Sequence, residues 1–514
     1  MDENNVRLKI KSLDELTLLL ADRQNKGSKV VLAHGVFDLL HIGHIRHLEA
    51  AANEGNFLVV TLTADKFVNK GPDRPVFSEL LRAEAVAALE YVDLVAINYA
   101  LTAENVIVSL RPDIYVKGAE YSDAGNDLTG KITVEEELLR SQGGKIVYTK
   151  DVVFSSSSLI NQYLNVFEPN LKSYLEGMRK SNMLQRISEL ADDVINQKVL
   201  MIGDAIIDEY QYVEPLGKSP KENMIATRYQ DKEIFAGGVI AAANHVADFC
   251  SEIDVICCLG EGENSYEGFI RSVIKPNVNL HIVTRPGKQT IKKTRFIDTG
   301  YGMRKLFELY HMDDDPIEAS GLSNILALLD KKLTTTDLTI VTDFGHGLLA
   351  KKMIEKLCLE SPFLAINAQS NSANLGFNLI TKYSKADYIC LDQPEARLAV
   401  GDNDSNLEEI VGEKLPSQVE CGRIIVTAGN LGCYTYDNES GLSQAPALTN
   451  SIVDTVGAGD AFFVISALFV KAGASIKEAS FVGNAAGALK VGIVGHRQSI
   501  LKVQFLKFIT TLLK

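Results

Sequence analysis

The stretch Val453-Asp-Thr-Val-Gly-Ala-Gly-Asp-Ala-Phe462 constrains the larger part of this chain most, because it reads as a strand end, a glycine loop and an apolar helix. Gly457, Ala458 and Gly459 carry almost no side chain, so their backbone N–H groups can converge on an anion. The helix expected to begin near Asp460 adds its positive N-terminal dipole. A carboxylate at that point binds phosphate poorly, yet it can take the proton of a hydroxyl that attacks the terminal phosphorus of a nucleotide. The alternative reading makes Asp460 an ordinary helix N-cap.

At 514 residues the chain is too long for one core, so two or three domains are expected. A formal net charge of −14 argues against a nucleic-acid binder, and anionic substrates must meet local basic residues instead. The apolar run Ala461 to Val470 is too short to cross a bilayer, and the polar opening Met-Asp-Glu-Asn-Asn carries no apolar signal segment. A cytoplasmic protein without membrane insertion is expected. Seven cysteines without a Cys-x-x-Cys read as small buried apolar residues in a reducing compartment.

Near the N-terminus, the β-branched run Lys29 to Leu32 leads into Gly35-Val-Phe37-Asp38-Leu-Leu-His41-Ile-Gly43-His44, and a helical pattern follows. His41 and His44, three apart at a helix start, face the same way beside the N-terminal N–H groups. That is a site for a polyphosphate. Gly35 and Gly43 let backbone and nucleotide approach closely. The stretch resembles the signature of the cytidylyltransferase-like nucleotidyltransferases, and further matches extend over most of residues 28 to 164. The resemblance implies a Rossmann-like fold with His41 and His44 as catalytic residues and Gly35, Phe37, Asp38 and Gly43 at the nucleotide. It also brings Lys70 and Arg74 to phosphates, delivers Lys117 at a strand end to substrate phosphate, and places Ser155, Ser156 and Ser157 on the nucleotide's phosphates.

Residues 165–197 are helical and charged with spaced apolar positions, and read as a linker plus a docking helix, with Pro169 at the boundary. Beyond it, Val199 to Ile202 is a strand ending in Gly203-Asp204 with Asp208 close behind, and Gly237-Gly238 opens a small-residue helix that contains Asn244. Carboxylates at a strand end and a Gly-Gly turn suit a polyol. Lys293 and Arg295 bring positive charge, Asp343-Phe-Gly345-His-Gly347 closes another strand, and Thr427-Ala-Gly429-Asn-Leu-Gly432 precedes the Asp460 loop.

Together these residues are similar to the ribokinase family, and within it to the kinase half of the bifunctional enzymes of ADP-heptose synthesis. There, however, the kinase precedes the transferase. The fold implied is α/β throughout, with a nucleotidyltransferase domain at 1–164, the linker at 165–197, and a ribokinase-like α/β/α kinase domain with a small β lid at 198–514. Asp460 would be the catalytic base. Thr427, Gly429, Gly432, Gly457, Ala458 and Gly459 would hold ATP, with Asp204, Asp208, Gly237, Gly238, Asn244, Lys293 and Arg295 at the sugar. Glu395 would be an indirect Mg2+ ligand. Asn367-Ala-Gln369-Ser370 stands where such heptose kinases show Asp-Pro-Lys, and Asp392-Gln-Pro-Glu395 where the wider family shows Asn-x-x-Glu.

The two halves imply a bifunctional enzyme that phosphorylates a heptose 7-phosphate at its anomeric hydroxyl and, after separate removal of the 7-phosphate, joins the sugar 1-phosphate to a nucleotide. ATP is the implied nucleotide, with CTP open. Two alternatives remain at this point: a kinase domain whose chemistry has lapsed, and a CTP-dependent enzyme for another sugar or alcohol. Both resemblances imply a homo-oligomer whose ligands are small sugar phosphates and nucleotides.

Overall fold

The computed structural model describes residues 3–68, 70, 74–100, 102–118, 132–149, 167–300, 302–313 and 315–514. The chain forms two compact units, Met1–Lys172 with Leu506–Lys514, and Ser173–Phe505. The sequence leads one to expect the whole C-terminal stretch in the second domain, whereas Leu506–Lys514 cluster with the first unit. Residues 165–197 are expected between the domains, whereas helix Met183–Val194 belongs to the second unit and buries Ile187, Leu190, Ala191 and Val194. Their spacing of three and four residues puts them on one helix face.

The first unit is built on β1 (Ile10–Lys11), β2 (Val30–Gly35), β3 (Phe57–Thr63), β4 (Leu94–Asn98), β5 (Ile114–Lys117) and β6 (Lys145–Tyr148), ordered β1-β4-β3-β2-β5-β6. All neighbours are parallel. Helices cover both faces, so β3 is buried along its whole length and its sequence, Phe-Leu-Val-Val-Thr-Leu-Thr, does not alternate. The chain leaves β2 toward β3 on one side and returns to it through β5 on the other. Ligands of open parallel sheets bind at such a switch, beyond the carboxyl ends of the strands. The loop after β2 carries the paired histidines, and β5 ends in Lys117.

In the second unit the strands are β7 (Lys198–Gly203), β8 (Ala205–Lys218), β9 (Ile225–Gly238), β10 (Glu252–Leu259), β11 (Val278–Thr284), β12 (Ile291–Asp298), β13 (Arg304–His311), β14 (Leu338–Asp343), β15 (Leu364–Ala368), β16 (Lys385–Ala386), β17 (Tyr388–Asp392), β18 (Glu420–Cys421), β19 (Arg423–Thr427), β20 (Cys433–Asp437) and β21 (Gly441–Ala445). The main sheet runs β11-β10-β7-β14-β15-β17-β19-β20-β21, and a four-stranded sheet runs β13-β12-β8-β9. Only Asp204 separates β7 from β8, so the chain passes from the main sheet into the small sheet without a loop. Asp208 therefore lies within a strand of the small sheet, opposite Phe235 on one side and Lys293 on the other.

Helix Ala458–Lys471 is buried on every side from Asp460 to Val470, which explains its uninterrupted apolar sequence. Each large side chain there contributes about 1.5–3 kcal/mol through burial. All seven cysteines are free thiols, six of them buried. Among the described residues no helix is long and apolar enough to cross a membrane.

Candidate active sites

In the first unit the loop leaving β2 is tightly folded. Phe37 and Leu39 adopt left-handed backbone angles, φ 50° and 47°, and His41 caps helix Ile42–Ala52, its Nδ1 accepting the Gly43 N–H at 3.1 Å. That bond assigns the proton of the neutral ring to Nε2, a donor for a phosphoryl oxygen. The His41 and His44 rings stack with centroids 4.0 Å apart, and Phe37 meets His44 edge-on. Burial, followed by the charges of His41 and Lys70, pushes His44 down to about 3. His41 is also lowered, by burial and then Lys70. The pair is thus neutral at physiological pH and donates hydrogen bonds rather than charge. Lys117 lies 2.8 Å from Glu135 and over the Tyr115 ring.

Asp38 is placed differently from the sequence expectation of nucleotide contact. It is buried and accepts the N–H groups of Val76 and Phe77, with Arg74 4.0 Å away, so its oxygens anchor the 74–77 segment. Gly35 packs against the Phe37 ring, which a side chain at that position would meet at 3.1 Å. Ser155, Ser156 and Ser157 lie outside the described residues.

In the second unit the carboxyl ends of β7, β14, β15, β17 and β19 deliver Asp204, the loop after Asp343, Gln369, the Asp392 turn and Thr427 to one edge of the sheet. Gly457, at φ 75°, is the N-cap of helix Ala458–Lys471, so Asp460 sits in the first turn and is no N-cap. The N–H groups of that turn have no carbonyl acceptors within the helix. Asp460 is buried and accepts a hydrogen bond from Gln369 Nε2 at 2.5 Å. Burial raises its carboxyl above the usual range, opposed by the nearby His496. A base of raised affinity for protons is suited to accept one from an attacking hydroxyl.

Asp208 pairs with the Arg295 guanidinium and lies 3.4 Å from His496 Nε2. Although burial opposes it, these partners hold its carboxyl well below the ordinary range. Asp204 behaves oppositely, pushed up to about 7 by burial and then by the charge of Asp343. One carboxylate accepts, while the other can retain a proton. Gly237 leaves room for Asp208, whose Oδ2 would lie 2.0 Å from an added Cβ, and Gly238 turns at φ 59° against the Asp204 carbonyl. Lys293 is buried over the Tyr310 ring, whereas Arg295 is committed to both Asp208 and Glu308. Asn244 faces elsewhere: its amide binds the Val273 carbonyl and the Lys275 N–H. Of the residues expected at the nucleotide, Thr427 ends β19, Gly429 opens a short 3-10 turn, and Gly432 turns at φ 86° where any Cβ would strike the Ala445 carbonyl.

Residues 32–162 match the cytidylyltransferase-like family, and residues 365–502 match the pfkB family of carbohydrate kinases. The chain joins a cytidylyltransferase-like domain to a pfkB kinase domain. The bifunctional protein HldE of Citrifermentans bemidjiense is 40% identical over 154 residues, 30% of each chain. That of Gluconobacter oxydans is 46% identical over 123 residues, 24% of each. These matches span less than a third of the relatives' own length. Among solved structures, the tetrameric inhibited form of phosphofructokinase-2 from Escherichia coli gives a TM-score of 0.49 at 14% identity, covering 62% of this chain and all of that one. Arabidopsis thaliana ribokinase complexed with ribose and ATP gives 0.46 at 14% identity, covering 62% of this chain and 99% of that one.

Three buried residues, Arg82, Asp454 and Lys490, and the half-buried His496 are not marked as site residues by the sequence. In the cytidylyltransferase-like domain Arg82 donates to the carbonyls of Val36, Phe77 and Thr63 and pairs with Asp65, pinning the histidine loop from behind. In the kinase domain Asp454 accepts from Tyr210, Lys305 and the Gly495 N–H, Lys490 donates to the carbonyls of Val456 and Gly495, and His496 lies between Gly237 and Gly457. The one available signal was an arginine, and later a lysine, interrupting an apolar helix face.

Among the described residues no group of three or more His, Cys, Asp or Glu side chains could hold a metal ion. Glu395 accepts the backbone N–H groups of Asp392 and Ser370, one on each oxygen, as the third residue of a capping box. Burial and the charge of Asp392 raise its carboxyl, and Asp460 adds to this. Each oxygen keeps a second lone pair, which fits a hold on Mg2+ through water rather than direct ligation.

Proposed function

We propose that the kinase domain transfers the terminal phosphoryl group of ATP to the anomeric hydroxyl of a sugar phosphate, a heptose 7-phosphate, and that the cytidylyltransferase-like domain joins the resulting sugar 1-phosphate, freed of its other phosphate, to a nucleotide. The observation that carries this reading is Asp460, buried in the first turn of a helix whose glycine loop presents backbone N–H groups, with the Asp208–Arg295 pair beside it. Asp208 and Asp204 orient sugar hydroxyls, one as an acceptor and the other as a donor in its protonated form. Lys293 meets the substrate's own phosphate, while Arg295 holds Asp208 in place. Asp460 Oδ2 takes the hydroxyl proton as the oxygen attacks phosphorus, and the N–H groups of the loop stabilise the charge on the transferred group. Mg2+ on the nucleotide phosphates would neutralise their charge, with Glu395 holding it through water.

In the other domain His41 Nε2, His44 and Lys117 bind the phosphates of the nucleotide and the sugar 1-phosphate. Alignment of the attacking oxygen on the α-phosphorus is the main demand of that reaction, which releases pyrophosphate. ATP is the proposed nucleotide.

Phosphorus NMR tests both halves. Protein, Mg2+ and ATP with a panel of sugar phosphates that includes heptose 7-phosphate should give a new anomeric phosphate, and heptose 1-phosphate with ATP should give pyrophosphate. Pyrophosphate with CTP in place of ATP would overturn the nucleotide assignment. No sugar phosphorylated across the panel would overturn the kinase reading.

A further inference from the structure

Lys490 closes helix Ile476–Lys490 with its side chain wholly buried. Its ammonium donates to the carbonyl of Val456 at 2.6 Å and to that of Gly495 at 2.8 Å. In a trans peptide the carbonyl and the following N–H point in opposite directions. Fixing the Val456 oxygen therefore fixes the direction of the Gly457 N–H, and fixing the Gly495 oxygen does the same for the N–H of His496. One cation thus sets two loops, the first at the anion-binding helix terminus and the second holding the ring against Asp208. Asp454, itself buried, braces the same assembly through the Gly495 and Val456 N–H groups. The charges that face the ammonium are those of Asp454, Asp460, Asp208 and Lys305, with His245 and His496 nearby.

A buried monovalent charge bound by backbone carbonyls next to a carboxylate has the chemistry with which proteins hold an alkali cation, since carbonyl oxygens replace its hydration shell. The geometry points to Lys490 as a built-in monovalent cation that positions the phosphate-binding loop for phosphoryl transfer, so that the kinase domain works without an added alkali cation. This rests on the kinase reading above. Lys490 touches neither reacting group and is a positioning residue.

The test measures sugar phosphorylation by the full chain in tetramethylammonium, potassium and ammonium salts at equal ionic strength. Wild type should turn over equally in all three. Lys490→Ala should lose about 100-fold in kcat, the scale of a displaced reacting geometry, with the sugar KM unchanged. Ammonium or potassium should restore much of that loss by filling the space left, and should fail to restore Lys490→Met, whose side chain occupies it. A wild type that turns over only with potassium would overturn the proposal, as would Lys490→Met at wild-type kcat, or a folded Lys490→Ala that no cation restores. Circular dichroism reports folding, and if neither variant folds, the wild-type salt series decides alone. Silence of wild type in every salt would instead mark failure of the kinase reading itself.

Discussion

Each domain holds the loop of its candidate site from behind with one buried cation, and the two cations differ in kind. Arg82 spreads its guanidinium over three carbonyls and Asp65. Lys490 concentrates its charge on two carbonyls. A guanidinium is always charged and its planar fork fits several acceptors at once, whereas an ammonium is a compact point charge that burial can strip of its proton. The Asp460 loop therefore depends on a group that titrates.

The sharpest way to break this picture is to remove, in turn, the proposed base of one domain and a proposed hydrogen-bond donor to phosphate in the other. Asp460→Asn should lower sugar phosphorylation by about two to four orders of magnitude and leave nucleotidyl transfer unchanged. His41→Ala should do the reverse. Separate assays of anomeric phosphate and pyrophosphate check both, and either variant silencing both reactions in a folded protein would refute the division of labour.

Removing a pin comes next. Arg82→Met leaves the carbonyls of Val36, Phe77 and Thr63 without their donor in a buried setting, at a cost of about 3 kcal/mol or more. Thermal unfolding of the first unit should shift down accordingly, with the second unit's transition unmoved. Equal shifts in both would mean that Arg82 does not serve one loop alone.

The contrast between the pins also predicts a pH limb. Burial lowers Lys490 to about 8, so the ammonium is present below that pH and is lost above it. Kinase turnover should fall as pH rises through about 8, by up to about tenfold per unit, while the rise on the acid side follows ionisation of Asp460, whose own range is raised by burial. Turnover that stays flat to pH 9.5 would detach the loop from the charge of Lys490.

What the sequence disclosed follows the same division between local and assembled structure. His41 with His44, and Gly457 through Asp460, are contiguous, and spacing alone puts their groups on one helix turn. The parallel sheets were legible from buried runs such as Val30 to Leu32. The partners of Asp460 were not, since Gln369, Lys490 and His496 arrive from three other elements and only the folded sheet edge brings them together. Asp208 reads as part of the β7 strand end because β8 follows β7 with only Asp204 between them, so that Gly203-Asp204 marks a change of sheet rather than a loop. Asp38 was read as a nucleotide contact because it lies inside the motif, although its oxygens serve the backbone of Val76 and Phe77.

Asn244 gives the smallest effect and the finest test of that lesson. The sequence places it after a Gly-Gly turn, where an amide would be expected to reach a sugar. In the folded chain one turn of helix separates it from that position, and both ends of its amide serve the Val273–Lys275 segment. Asn244→Ala should therefore cost stability, about 1–2 kcal/mol for the lost bonds, while the sugar KM and kcat change by no more than about twofold. A KM raised about tenfold at unchanged stability would show that the amide turns to the substrate during catalysis, and that the sequence reading was right where the resting geometry was not. Such a result would bring helix Val239–Val246 into the sugar site and add a third element to the Asp208–Arg295 pair.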